Sequence, residues 1–346
     1  MLTTSLCQAL GIEHPVMAAA MGGATTPEFA AAVSSAGGLG QLTVTGLDAE
    51  TVANRVRRTR ELSERPFAAN VILDIWKGHE IDAALNAGAP IIFLFWGDPR
   101  PYVEQVHGAN ARLVVQVGSV GEAVAARDAG VDAIVAQGVE AGGHVRGTTP
   151  LFSLVPAVAE AVAPLPVVAA GGIVDGRGLA AALALGAQGV LMGTRFLASE
   201  EAFVHPEYQR RILEAPGDTV YSQDLFDVAW PSAPHRMLRN RVVTEWEAAG
   251  RPPLGSRAGE GTIIGSSSAS GRVVEIARYT SFTATPAFEG DIEEAPLWAG
   301  MSVGRVREVK PAGEIVRETV READAILARL SAAAESAQSG SRAGVA

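Results

Sequence analysis

Apolar residues in this chain gather in short runs that are hydrophobic almost throughout rather than alternating, with stretches of helical spacing between them. Eight runs stand in order: "PVMAAAM" (15–21), "GGLGQLT" (37–43), "FAANVIL" (67–73), "APIIFLFWG" (89–97), "ARLVVQVGS" (111–119), "DAIVAQG" (132–138), "LPVVAAGGI" (165–173) and "GVLMGTRFL" (189–197). Strands apolar on both faces belong to a parallel sheet that is covered on both sides. The segments between them read as helices. One opens at Pro27 with Thr26 as its cap, one runs from Asp48 to Glu61, and one ends at Gly88. "VGEAVAARDAG" and "GRGLAAALALGA" also carry apolar residues at helical spacing. Eight such units in series predict an α/β fold, a closed (β/α)8 TIM barrel. An open doubly wound sheet is the rival, but no early strand carries the Gly-rich dinucleotide turn such a sheet uses.

The regular pattern stops near residue 200. Residues 201–300 read as a mostly helical insertion over the barrel mouth, with "HPEYQRRILEA" and "PHRMLRNRVVTEWEAAG" as helices and "GEGTIIGSSSASG" as a loop or link. Residues 301–335 hold a long amphipathic helix expected to complete the barrel. That leaves 1–200 as the cofactor-binding core and 336–346 as a disordered tail. Hydrophobic residues make up 48% of the 346 and charged residues 19%, which is ample material for a large core. A net charge of −10 with no basic cluster argues against a nucleic-acid partner. The start of the chain does not resemble a secretory signal, and no apolar run is long enough to cross a bilayer, so no membrane partner is expected. Cys7 is the single cysteine, which rules out an internal disulfide and suits a cytoplasmic setting. The expected partner is a small molecule, and a homodimer is compatible with these properties.

In a parallel barrel the catalytic face lies at the C-terminal strand ends. Glycines close strand seven (Gly171, Gly172) and strand eight (Gly193, before Thr194), where backbone N–H groups can approach a phosphate with no Cβ in the way. Asn70, Gln116 and Gln137 are neutral amides set in apolar strands, a lining suited to a planar hydrogen-bonding heterocycle. His144 follows strand six beside Gly142 and Gly143. An unperturbed imidazole there titrates near neutrality and can accept a proton. The other histidines are placed less well: His14 lies at the wrong end of strand one, His79 and His107 fall in helical or loop stretches, and His205 and His235 begin insertion segments beside prolines. Metal-ligand spacings and a G-x-S-x-G elbow are absent, and Cys7 precedes the first strand.

"PVMAAAMGGATTPEFAAAVSSAGGLG", "AQGVEAGGHVRG", "VVAAGGIVDGRGLAAALALGAQGVLMGTRF" and "APLWAGMSVG" together resemble the nitronate monooxygenase (2-nitropropane dioxygenase) family, densely over residues 10–200. A sister group, the FMN-dependent enoyl-acyl-carrier-protein reductases, shares these blocks. The resemblance implies a flavoprotein oxidoreductase with FMN at the barrel mouth. Asn70, Gln116, Gln137, Gly142 and Gly143 would contact the flavin, with the backbone at Met21 and Gly22 facing its ring. Gly171, Gly172, Met192, Gly193 and Thr194 would hold the phosphate. Gln116 stands where some family members carry a lysine. The implied reaction consumes an alkyl nitronate, or a nitroalkane, and O2, and yields a carbonyl compound and nitrite, with His144 as base. The alternative is an NAD(P)H-dependent enoyl reductase on the same barrel.

Overall fold

The computed structural model describes residues 2–75, 78–268 and 273–343. Eight parallel strands form its centre: β1 (Val16–Ala18), β2 (Gly40–Thr43), β3 (Phe67–Ile72), β4 (Ile91–Phe95), β5 (Arg112–Val117), β6 (Ala133–Gln137), β7 (Val167–Ala170) and β8 (Gly189–Met192). Each pairs with its sequence neighbour from β2 through β8, and β8 pairs with β1. A parallel bridge between Met17 and Leu39 closes the ring, with Ala18 N–H donating to Leu39 O at 3.0 Å. The protein is a (β/α)8 barrel.

The strands bury side chains on both faces because each face meets its own core. Inward residues such as Met17, Leu39, Phe93, Val135 and Leu191 fill the barrel, and Leu6 and Leu10 of helix α1 (Ser5–Leu10) plug its lower end. Outward residues such as Val16, Ile92, Val115 and Val190 pack beneath the surrounding helices. Those helices are α2 (Pro27–Ser35), α3 (Ala49–Leu62), α4 (His79–Asn86), α5 (Val103–Gly108), α6 (Val120–Ala129), α7 (Leu151–Val162) and α8 (Gly176–Ala184). Capping follows the sequence reading: Phe29 N–H donates to Thr26 Oγ1 at 3.3 Å and Thr51 N–H to Asp48 Oδ1 at 2.9 Å.

After β8 the structure departs from expectation in detail. "TRFL" is not strand but the short helix α9 (Thr194–Leu197), because Gly193 leaves the sheet and caps it. Residues 201–300 contain helices α10 (Pro206–Glu214) and α11 (Arg241–Ala248), yet strands occupy as much of the segment as helices do. They are β9 (Thr219–Ser222), β10 (His235–Leu238), β11 (Ile263–Ser267), β12 (Val274–Ala277) and β13 (Phe288–Gly290), in two antiparallel sheets. The stretch at 235–238, read as helical, is drawn into a sheet by pairing with β9 and with the two-residue strand Gly143–His144. Helix α12 (Ala312–Ala343) packs against α8 and α2, and Glu322 Oε2 accepts from Gly176 N–H at 2.8 Å. It continues past the expected end at residue 335. Residues 269–271 of the Gly/Ser stretch and 344–346 of the tail lie outside the described residues.

Candidate functional site

A cavity of about 510 Å³ opens at the C-terminal ends of the strands and is roofed by the 201–300 segment. Met21, Gly22, Asn70, Gln116, Gln137, Gly142, Gly143, His144, Gly171, Gly172, Gly193 and Thr194 all line it. Met192 does not: it is 1% exposed and packs in the layer between barrel and helices, because the strand alternation turns it outward.

The glycines act through geometry. Gly171 (φ +111) and Gly172 (φ +70) have the positive, left-handed φ that favours glycine, which turns the chain sharply at the end of β7. Among the described residues no hydrogen bond runs from the backbone N–H of Gly171, Gly172 or Gly193. These donors face an adjacent pair of strand ends, since β7 pairs with β8. Gly142 serves packing instead: a Cβ there would sit 2.3 Å from Gly300 N and 2.4 Å from Ala299 C. Gly142→Ala therefore pushes the 299–300 backbone off the cavity wall. Thermal unfolding should register a loss of about 2 kcal/mol or more; an unchanged Tm would show that the backbone yields freely.

The three amides have separate fates. Gln137 is partnered at both ends: Nε2 donates to His144 O and Oε1 accepts from Arg146 N–H, both at 2.9 Å. It clamps the loop that carries His144. Asn70 makes one long contact, Nδ2 to Phe93 O at 3.5 Å. Gln116 is half-buried on the wall. A fourth amide, Gln41 on β2, is fully buried with neither Oε1 nor Nε2 partnered, and it too lines the cavity. A buried amide without partners is costly unless a ligand meets it.

His144 is enclosed by aromatic rings. Its ring centroid lies 3.9 Å from Trp230, 5.3 Å from Trp298, 6.2 Å from Trp96 and 5.7 Å from His235. Nδ1 faces Ala233 O at 3.3 Å and Nε2 faces Ser281 Oγ at 2.8 Å. A carbonyl only accepts, so Nδ1 carries the hydrogen and Nε2 holds the lone pair that takes the Ser281 hydroxyl proton. His235 is fixed the same way: Nε2 accepts from Phe226 N–H at 3.1 Å and Nδ1 donates to the same Ala233 carbonyl at 2.9 Å. Desolvation by these rings, then the neighbouring His235, pushes the His144 pKa down to about 3. The expectation of an imidazole poised near neutrality is corrected accordingly: His144 is neutral across the physiological range.

Several wall residues had no signal in the local sequence. Ser281, Trp230 and Trp298 come from the 201–300 segment, and Arg55 reaches in from α3. His235, which the sequence places at the start of an insertion segment beside a proline, stands in ring contact with His144.

Neutral amides, unpaired backbone N–H groups and one enclosed imidazole at the mouth of a parallel barrel define a cofactor-type enzyme site, with no cluster able to hold a metal among the described residues. The chain belongs to the nitronate monooxygenase family, whose model matches residues 3–84 and 75–322, and it is an oxidoreductase. It is 32% identical to a nitronate monooxygenase of Pseudomonas aeruginosa, over 93% of this chain and 99% of that one. It is 34% identical to a 5-hydroxy-7a-methyl-1-oxo-octahydro-1H-indene-4-carboxyl-CoA dehydrogenase of Mycobacterium tuberculosis, over 72% of this chain and 70% of that one. In fold it is similar to FabK from Thermotoga maritima, with a TM-score of 0.79 and 31% identity over 96% and 99% of the two chains.

Proposed function

We propose that the protein is an FMN-dependent nitronate monooxygenase, in which His144 meets the nitronate. The observation that carries the cofactor is the pairing of two features: unpartnered amides at the ends of β7 and β8, and the orphaned Gln41 amide across the mouth. The first set suits a phosphate and the second a neutral heterocycle, which is the donor pattern of a flavin mononucleotide. Gly171, Gly172, Gly193 and Thr194 would hold the phosphate. Gln41, Asn70 and Gln116 would meet the ring, with Met21 and Gly22 along its face. When bound, the flavin supplies the redox chemistry between substrate and O2.

The chain's own part is to bind, orient and handle one proton. A neutral imidazole of pKa about 3 is too weak a base to strip a proton from an unactivated nitroalkane at pH 7. A nitronate has already lost that proton. Its negative charge beside Nε2 raises the imidazole pKa, so that anion binding and proton uptake at Nε2 reinforce each other. The Ser281 hydroxyl turns from donor to acceptor as Nε2 gains its proton, so the bond is kept and becomes charge-assisted, and the ring of Trp96, Trp230 and Trp298 keeps water away. Steady-state assays at pH 7 should therefore show kcat/KM for an alkyl nitronate at least about a hundredfold above that of its parent nitroalkane. Equal values would remove the nitronate preference.

Ser281→Ala tests the partner. Loss of one hydrogen bond to the reacting imidazole, worth about 1 kcal/mol, should lower kcat/KM roughly fivefold to tenfold without releasing flavin. No change in nitrite release would place Ser281 outside the reaction.

A further inference from the structure

The charge on the cavity wall is confined to one place. Among the described residues lining it, Arg55 is the one with a full charge, and no carboxylate joins it. Its guanidinium donates once, from Nη1 to Thr43 O at 3.2 Å. It belongs to no ion pair among the described residues: Glu28, the acid that acts on it through space, bonds Arg58 instead at 3.1 Å. Most of its N–H donors are left for something else. Glu28, Glu200 and Glu201 line an outer recess with Arg55 without bonding it, so on the cavity side its remaining N–H donors are open to an anion that enters beside it.

Its position relative to His144 sets the shape of that anion. Arg55 leans over the end of β2, and His144 follows β6. In the ring order these strands stand four apart in either direction, on opposite sides of the mouth. Strand spacing and tilt give such a ring a diameter of about 15 Å. The arc of wall between them, Leu47, Ile72, Ile75 and Phe95, is apolar. A head group at Arg55 and a reacting carbon at His144 are therefore held apart across this wall.

We propose that Arg55 is an anion subsite for an elongated substrate: a carboxylate or phosphate at Arg55, an apolar chain of roughly eight carbons along the Leu47–Phe95 wall, and the reacting end at His144. The reaction at that end rests on the function proposed above, whereas the subsite itself does not depend on it.

Calorimetric titration of the flavin-loaded protein with unreactive probes tests this. Octanoate and octyl phosphate carry the two candidate head groups, octanamide is the uncharged control and butyrate the short one. At least one of the two octyl anions should bind tenfold or more tightly than octanamide and than butyrate, and which one does so names the head group. Arg55→Gln should erase the preference over octanamide, and Arg55→Lys should keep most of it, with thermal melts confirming that both variants fold. A preference that survives in Arg55→Gln, an absent preference in the wild type, or butyrate binding as tightly as octanoate would each overturn the proposal. Nitrite release from a short nitronate is scored separately in the wild type. Its failure alongside the expected titrations would remove the reaction and leave the subsite standing.

Discussion

His144→Asn should lower nitrite release from an alkyl nitronate by about a hundredfold to ten-thousandfold while the flavin stays bound. Asparagine retains a donor for Ala233 O, the carbonyl that His144 faces at 3.3 Å, so the loop keeps its anchor. Gln137 holds the same loop independently through His144 O and Arg146 N–H. What asparagine lacks is a group that becomes cationic opposite the nitronate. The pH profile of the wild type carries the matching sign. Binding of the anion takes up a proton at Nε2, so kcat should fall as pH rises above the raised pKa of the complex, by up to tenfold per unit. The variant should show no such limb. A His144→Asn enzyme with near-native turnover, or a flat wild-type profile, would remove the imidazole from the reaction.

The second large effect is on stability in acid. The folded pKa of His144 lies at about 3, below the ordinary histidine value near 6.5. Between those two values the unfolded chain binds a proton that the native state refuses. The contribution is therefore intact above pH 6.5 and is lost progressively as pH falls toward 3, at about 1.4 kcal/mol per unit and about 5 kcal/mol in all. Burial lowers the pKa of His235 as well, which adds to the same trend. Denaturant titrations of wild type and His144→Asn between pH 7 and 4 separate this from carboxylate effects, which both proteins share. The gap between the two stability curves should change steadily across that range, with the wild type falling faster. Parallel curves would mean that His144 is solvated after all.

The barrel could be read from the sequence because each of its strands is buried on both faces, so runs such as "FAANVIL" and "APIIFLFWG" are apolar without interruption. Its mouth was partly legible for a related reason. Gly171, Gly172 and Gly193 sit where the chain must turn at strand ends, and position within a strand–helix unit is a local property. The 201–300 segment was opaque because its structure depends on distant partners. His235–Leu238 has no strand pattern of its own and becomes one by pairing with Thr219–Ser222 and with Gly143–His144. The same holds for the chemistry of His144. Residues near it in sequence are glycines and small polar groups, which suggest solvent. The rings that desolvate it come from positions 96, 230 and 298, and its hydroxyl partner from 281. Gln137 was legible as a wall residue but not as a clamp, because both of its bonds go to a loop seven to nine residues on.

One experiment bears most directly on the proposal that the cavity binds flavin and serves a nitronate. Purified protein is mixed with an alkyl nitronate in air, and separately with NADH without oxygen, while flavin absorbance, O2 uptake and nitrite are followed. The expected result is about one FMN per chain, nitrite release coupled to O2 uptake, and flavin bands that persist under NADH. Rapid bleaching by NADH with no nitrite from any nitronate would contradict it and move the site to a pyridine-nucleotide-dependent reduction.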